Sequence, residues 1–218
     1  MRTLSLSLSF VLLAISSPAA VFSYGSGTLN DAIPDGNPTG LTRMIEVSGH
    51  DNQRVLDVNL VLNISGGANG DLYCYLSDGQ GGIAVLLNRV GKTSANPFGY
   101  DDAGLLSVVL NDQAASDIHL YGGNLGAALT GSWQPDGRDQ DPQTVTEAGS
   151  RTALLDLFSY HNPNATWTLF LGDLAGGEQA TLVSWGLEME IEPVPEPVNV
   201  ALALFLLLAG GICRWRRR

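Results

Sequence analysis

Residues 54–64, RVLDVNLVLNI, alternate apolar and polar side chains along almost their whole length. The apolar side chains at every second position are Leu56, Val58, Leu60, Leu62 and Ile64. This alternation places all five on one face of a β-strand, as expected for a strand with one side in a hydrophobic core. The turn-forming run SGGANG, residues 65–70, then ends the strand.

Similar short runs recur through the middle of the chain at intervals of about ten residues. They are residues 42–47, 71–76, 83–88, 105–110, 166–171 and 181–191. In the second of these runs the leucines and Cys74 are predicted to face inward, and Tyr73 and Tyr75 outward. Only residues 152–158 indicate a helical turn. The pattern predicts an all-β fold, a sandwich or a jelly roll, and periodicity alone does not choose between them.

The chain has 218 residues and a formal net charge of −11. Residues 24–192 are more acidic still, with six basic side chains against 21 acidic ones. Such a surface repels nucleic acid and anionic lipid head groups, so both are excluded as partners. Cys74 is the one cysteine of this stretch. It is therefore predicted to be a small core residue, without a disulfide framework.

The end of the chain combines three features. Pro195-Glu196-Pro197 precedes an apolar run, residues 198–213, which is followed by the basic end RWRRR, residues 214–218. As a helix the apolar run spans about 24 Å, less than the bilayer core of about 30 Å, but Trp and Arg at its end extend the effective span. A single transmembrane helix is therefore predicted. The alternative is a buried core helix, which the adjacent arginines disfavour.

Residues 1–23 are predicted to be a secretory signal peptide, because a basic start precedes an apolar stretch and then small residues. Cleavage after Ala19, or near Ser23, would leave small side chains at the peptidase site. Together with the C-terminal helix, this predicts export of residues 24–192 and a cytoplasmic C-terminus. The folded domain is expected at residues 24–192, and residues 193–218 are the tail.

The tail resembles the PEP-CTERM protein-sorting signal of Gram-negative bacteria, whose three parts occur in this order at the end of the chain. The resemblance implies two processing partners, a signal peptidase and a membrane enzyme called an exosortase. The sorting residues it implies are Pro195, Glu196, Pro197, Arg214, Arg216, Arg217 and Arg218. It also implies a localisation: export across the inner membrane, transient anchoring there through residues 198–213, and delivery to the cell surface or extracellular matrix.

An ordered set of segments between the two ends resembles the P domain (Homo B), which follows the catalytic domain of subtilisin-like proprotein convertases. The segments are Ile33-Pro34-Asp35 with Gly40 and residues 43–47, Gly70-Asp71-Leu72 with Leu76-Ser77, residues 110–114, residues 129–135, and residues 166–173 with Leu182, Trp185 and Leu187. Asn111, Gln113 and Ala165 depart from the family pattern. The resemblance covers nearly all of residues 24–192 and implies a β jelly roll.

The tryptophans of the middle region are predicted to have two roles. Trp167 and Trp185, on the two closing strands, are predicted core aromatics. Trp133 lies in residues 130–151, the longest stretch without a strand pattern. A loop of that length is either functional or mobile, so Trp133 is the candidate for an exposed ligand contact.

No catalytic site is predicted. The protease activity of convertases belongs to a separate domain, and the histidines here fit no nucleophile or zinc pattern. Asp117 and His119 would share a strand face and are predicted to lie at the surface. No cofactor is certain. The candidate is structural calcium at Asp101, Asp102 and Asp112, since clustered carboxylates suit a hard cation, with turn geometry as the competing explanation.

Three functional hypotheses follow. The first is a non-catalytic, surface-sorted β domain with a structural, adhesive or binding role in the envelope or extracellular matrix. The alternative is a P-domain partner that stabilises or regulates a separate subtilisin-like serine protease. A third is a carbohydrate-binding jelly roll with extracellular polysaccharide as its ligand.

Overall fold

The computed structural model describes residues 18–194. The predicted sorting signal and most of the predicted signal peptide lie outside these residues. The chain divides into two units. One is Ala19–Glu192, and the other, Met1–Pro18 with Pro193–Arg218, falls almost entirely outside the described part.

Strands make up most of the regular structure, which confirms the all-β prediction. The strands are β1 (Ala20–Gly25), β2 (Asp31–Ala32), β3 (Asn37–Val47), β4 (Gln53–Ala68), β5 (Leu72–Ser77), β6 (Ala84–Asn88), β7 (Ala103–Leu110), β8 (Ser132–Trp133), β9 (Ala165–Asp173) and β10 (Thr181–Pro193). Three short 3₁₀ helices lie at Asn69–Asp71, Ile118–Leu120 and Leu155–Phe158.

The strands form two sheets. The first has the order β1-β10-β4-β7-β8, with β2 also paired to β10. The second has the order β3-β9-β5-β6 and is antiparallel throughout. β8 runs parallel to β7.

Both sheets contribute side chains to one hydrophobic core. Trp167 of β9 and Trp185 of β10 are 0% and 2% exposed, which confirms them as core aromatics. Phe158 meets Trp167 edge to face, with 5.0 Å between ring centroids. Cys74 is fully buried, as predicted, and burial raises the pKa of its thiol.

All seven predicted strands are present. β4 buries every second side chain from Val58 to Ile64, as the alternation predicts. Leu56 departs from the pattern, because it is half-buried while Val55 is fully buried. There the backbone of β4 bonds to residues 160–161. The Val55 N–H donates to the His161 carbonyl at 3.0 Å, and the Val55 carbonyl accepts from the Tyr160 N–H at 2.7 Å. The buried face therefore changes between Val55 and Val58.

β1, β2 and β8 are not predicted by the sequence. β2 and β8 have two residues each, too few to show a pattern. β1 pairs with β10 from Ala20 opposite Ile191 to Gly25 opposite Gly186. It begins inside the stretch predicted to be the signal peptide, so only the first of the two predicted cleavage sites, after Ala19, would leave β1 whole.

The structure contradicts the predicted localisation. Within residues 18–194, no helix is long and apolar enough to cross a membrane. The anchoring helix that this localisation requires was assigned to residues 198–213, which lie outside the described part of the chain.

Candidate functional site

The three carboxylates predicted to bind calcium lie at opposite ends of β7. Asp101 and Asp102 precede the strand, and Asp112 follows it. β7 has eight residues, so its ends are about 26 Å apart at about 3.3 Å per residue. One ion cannot contact both ends. Among the residues that the structure describes, no group of three or more Asp, Glu, His or Cys side chains is arranged to hold a metal ion.

Asp102 and Asp112 instead hold loops in place. Asp102 is buried and accepts a hydrogen bond from the Leu125 N–H at 2.5 Å. Asp112 accepts from the N–H groups of Leu155 and Asp156, at 3.2 and 2.7 Å, at the start of the third 3₁₀ helix. Burial raises the pKa of Asp112, and the two hydrogen bonds act against that rise. Because these contacts join residues 23 to 44 positions apart, they are long-range contacts and not the local turn geometry that was the alternative to calcium.

Trp133 is half-buried and contacts its own fold. Its indole N–H donates to the Thr130 carbonyl at 2.8 Å. Its ring lies edge to face with Tyr121, at 6.2 Å, and packs against the core. A ligand contact at Trp133 stays a prediction. The seven sorting-signal residues, between Pro195 and Arg218, lie outside the described part.

A charge cluster that the sequence does not predict lies beneath the loop of residues 134–151. Its members are Asp117, His119, Asp136, Arg138 and Arg151. His119 and Asp136 are both fully buried, with Nδ1 and Oδ2 2.7 Å apart. Arg138, 3% exposed, binds Asp136 at 3.1 Å and Asp117 at 2.9 Å. Burial lowers the pKa of Arg138, but these two carboxylates outweigh it and the pKa is raised overall.

Both ring nitrogens of His119 have hydrogen-bond partners inside the protein. Its Nε2 donates to the Lys92 carbonyl at 2.8 Å, since a carbonyl oxygen can only accept. With Nδ1 bound to Asp136, both ring nitrogens are engaged inside the protein. The expectation that His119 lies at the surface is wrong, because the residue belongs to the second 3₁₀ helix, whose N-cap is Asp117.

Arg151 ties the same loop to the cluster from the other side. Its guanidinium donates to the Gln134 side chain and to the Pro135 carbonyl, both at 2.7 Å, and to the Asp136 carbonyl at 2.9 Å. The loop without a strand pattern is thus held by buried charges. Sequence spacing gives no signal for this, because the partners are up to 34 residues apart (Asp117 to Arg151) and are brought together only by the fold.

The outer face of the second sheet carries an aromatic groove. Its floor is formed by Tyr73 and Tyr75 of β5 and Phe170 of β9, all half-buried. Tyr75 lies directly opposite Phe170, and their rings stack at 4.9 Å with 17° between the planes. Tyr73 meets Phe170 edge to face at 6.4 Å. The outward direction of both tyrosines is confirmed, whereas the part played by Phe170 was not predicted.

The walls of the groove come from three parts of the chain. They are Pro38, Asp141, Pro142, Gln143 and Leu174, and with the floor they line an open groove of about 360 Å³. The buried Lys92 ammonium donates to the carbonyls of Pro142 at 2.8 Å and Gln143 at 2.5 Å, which fixes the loop wall.

Gly40 allows β3 to lie against the groove floor. Its φ is +58°, a conformation that favours glycine. A Cβ atom at this position would lie 2.3 Å from the Leu171 carbonyl oxygen and 2.7 Å from Cζ of Phe170. Any larger residue would therefore push on the Phe170 ring, so the shape of the groove depends on Gly40.

No protein-family model matches the chain, and no curated protein matches it. Among solved structures, it is similar to the Aeromonas sobria serine protease in complex with the chaperone ORF2, at 14% identity and a TM-score of 0.46. The similarity covers 82% of this chain and 28% of that one. The same protease without the chaperone gives 14% identity and a TM-score of 0.46, over 81% and 27% of the two chains.

The chain thus spans less than a third of the length of these structures. The likeness is too distant to bear on function. The PEP-CTERM and P-domain resemblances are not matched by a family model and stay predictions.

Proposed function

We propose that this chain carries a non-catalytic jelly roll that acts by binding, as an accessory domain of a separate subtilisin-like serine protease. The structural or adhesive role in the envelope or matrix depends on the corrected localisation and is not carried forward. Three observations support the proposal: the strand order, the hydrogen bonds that engage the ring nitrogens of the histidines, and above all the placement of the P-domain-like segments.

The strand order supports a jelly roll. In this topology eight strands form two four-stranded sheets through two Greek keys. Here β2, β10, β4 and β7 are neighbours in one sheet, and β3, β9, β5 and β6 in the other. The chain crosses between the sheets at every connection from β2 to β5, which is the path of a jelly roll. β1 and β8 extend the first sheet at its two edges.

The histidines support a non-catalytic role. A general base needs a ring nitrogen that can reach a substrate. His119 has none free, as described above. His50 is bound by the Tyr24 hydroxyl and, at 2.7 Å, by Gln53. His161 is partly exposed, and its Nδ1 lies 2.6 Å from the Asp78 carboxylate, which also accepts from the Gln80 side chain.

The observation that carries the proposal is that the P-domain-like segments pack against one another in pairs. Residues 110–114 meet residues 129–135, where Asn111 N–H donates to the Trp133 carbonyl at 2.9 Å. Leu72 of the second segment lies opposite Asp173 of the last. Residues 43–47 of the opening segment pair with the last segment, with Ile45 opposite Trp167. Scattered chance matches would not be expected to meet in this way.

Co-purification with a subtilisin-like catalytic domain tests the proposal. The full chain and a protease domain that lacks its own P domain are mixed and analysed by size-exclusion chromatography with light scattering. We expect a one-to-one complex and a longer half-life of protease activity at elevated temperature, because binding to the folded state stabilises the partner. Two separate peaks with an unchanged half-life, for proteases from the same host, would refute the role.

A second assay addresses catalysis itself. The purified chain is incubated with a peptide library and the products are followed by mass spectrometry. We expect no cleavage by the chain alone. Turnover that survives removal of contaminating protease, and that is lost in His161→Ala but kept in the exposed-tyrosine variant Tyr160→Phe, would overturn the non-catalytic assignment.

A further inference from the structure

One acidic side chain lines the aromatic groove, and the charge of a second acts on its floor. Asp141 lines the groove itself, and Asp139 lies near enough to raise the pKa of Tyr73. Burial is the larger cause of that rise, which takes the Tyr73 pKa to about 12. Negative charge therefore lies close to the aromatic floor.

The groove wall adjoins a buried carboxyl group that does not line the groove. Leu174, part of the groove wall, follows Asp173 in the chain and donates its N–H to the Asp71 carbonyl at 2.9 Å. Burial raises the pKa of Asp173, and the neighbouring charges of Asp35 and Asp71 raise it further. Asp173 is 1% exposed and Asp71 is paired with Arg89, so Asp141 is the carboxylate that lines the groove.

No basic side chain lines the groove. Every basic side chain between residues 24 and 192 has a partner in the described chain, and Lys92 lies behind the groove wall, where its charge interacts with Asp141. The contacts are Arg43 with Asp31, Arg54 with Glu192, Arg89 with Asp71, Arg138 and Arg151 with Asp117, and Lys92 with two backbone carbonyls. A ligand would therefore meet aromatic rings and negative charge.

We propose that the aromatic groove binds an arginine- or lysine-bearing peptide segment of a partner protein, with a cationic group against the Tyr75–Phe170 floor and Asp141 beside it. An aromatic ring face attracts a cation, and a nearby carboxylate adds a charge-assisted hydrogen bond. The groove is also already formed, since Lys92 and Gly40 hold its walls, so binding orders little of the protein.

The geometry favours a cation over a neutral sugar. A sugar ring stacks on a broad open ring face, but Tyr75 and Phe170 already give one face each to their mutual stack. A guanidinium or ammonium group needs only one face and a carboxylate. A neutral ligand would also bring no counter-charge to Asp141, which lines the groove.

This site goes beyond the proposed protease contact and is tested without a protease. The full chain is titrated against a fluorescein-labelled peptide with three arginines spaced by glycine, followed by fluorescence anisotropy. The same peptide with citrulline, a neutral isostere of arginine, is the ligand control. We expect the citrulline peptide to bind about tenfold or more weakly.

Matched variants separate a site from general attraction to an acidic protein. Tyr75→Ala changes no charge and is expected to weaken arginine-peptide binding about fivefold, the scale of one cation–aromatic contact. Its control is Phe98→Ala, at an exposed aromatic residue outside the groove. Asp141→Asn is expected to weaken binding about threefold. Its control is Glu188→Gln, at an exposed acidic residue of β10.

Three outcomes would overturn the site. The first is equal binding of the arginine and citrulline peptides. The second is equal loss in Asp141→Asn and Glu188→Gln with none in Tyr75→Ala, which would mean diffuse charge attraction. The third is Tyr75-dependent binding of a neutral hexasaccharide without binding of the arginine peptide, which would make the groove a carbohydrate site. Melting temperatures of all variants confirm that each is folded.

Discussion

The loop of residues 134–151 contributes to two regions that differ in how their charged side chains are placed. In one the charges are buried and paired, and in the other a carboxylate is exposed. Its Asp136 and Arg138 belong to the charge cluster, where carboxylates and cations are enclosed and bind one another. Its Asp141 and Pro142 form a wall of the aromatic groove, which is open and carries negative charge without a cation in its lining. Buried, paired charges serve the fold, whereas the exposed carboxylate of Asp141, which accepts one backbone hydrogen bond from Gln143 at 2.8 Å, is available to a partner.

The largest effect is expected from Asp136→Asn. Asp136 is fully buried and its carboxylate is shared by His119, Arg138 and the backbone N–H of Asn88. Neutralising it leaves a buried guanidinium short of a counter-charge, which costs about 3–5 kcal/mol for a broken buried pair. Urea unfolding measures the loss.

The control for that variant is Asp139→Asn, at an exposed residue of the same loop. It is expected to change the free energy of unfolding by no more than about 0.5 kcal/mol. Equal effects of the two substitutions would mean that the cluster does not hold the loop, and the contrast between the two regions would fail.

An intermediate effect is expected from Gly40→Ala, because the new methyl group meets the Leu171 carbonyl and the Phe170 ring at a positive φ. The expected loss of stability is about 2 kcal/mol, together with weaker peptide binding. Gly27→Ala, also at positive φ but with nothing within 4 Å, isolates the backbone contribution. If Gly27→Ala costs as much, Gly40 is not a spacer for the groove.

The smallest effect is expected from Asp173→Asn, and it should depend on pH. The pKa of Asp173 is raised in the folded state. Such a carboxyl group contributes stability that is full below its unfolded pKa of about 3.9 and is lost as the pH rises through the folded value. The amide should therefore raise stability near pH 7, by about 1 kcal/mol or less, and leave it unchanged near pH 3.5. Thermal melts of the parent and the variant between pH 3.5 and pH 7 measure the effect. A difference in stability that stays constant with pH would show that the charge of Asp173 is not its cause.

The strands could be predicted from the sequence more completely than the sites could, for a physical reason. Alternation identified β4 and β5, because the hydrophobic core imposes a period of two on every strand it touches. The alternation predicted the wrong face for Leu56, beside the point where β4 bonds to residues 160–161. It also missed β1, whose residues 20–23 fit a signal peptide as well. The choice of a jelly roll over another β-sandwich came from resemblance and not from periodicity.

The sites are set by contacts between distant residues. Asp101 and Asp112 are close in sequence, but a strand separates them. His119 looked like a surface residue because nothing near it in sequence shows that Asp136 and the Lys92 carbonyl will enclose it. Tyr73 and Tyr75 were correctly placed outward, but only strand pairing brings Phe170 against them.

The most direct test measures stability and peptide affinity together in Asp136→Asn and Tyr75→Ala. The account predicts that Asp136→Asn loses about 3–5 kcal/mol of unfolding free energy and, where still folded, binds the arginine peptide as the parent does. Tyr75→Ala should keep most of its stability and bind about fivefold more weakly. Unchanged affinity in Tyr75→Ala together with a stability loss as large as that of Asp136→Asn would contradict the division between a closed structural cluster and an open recognition groove.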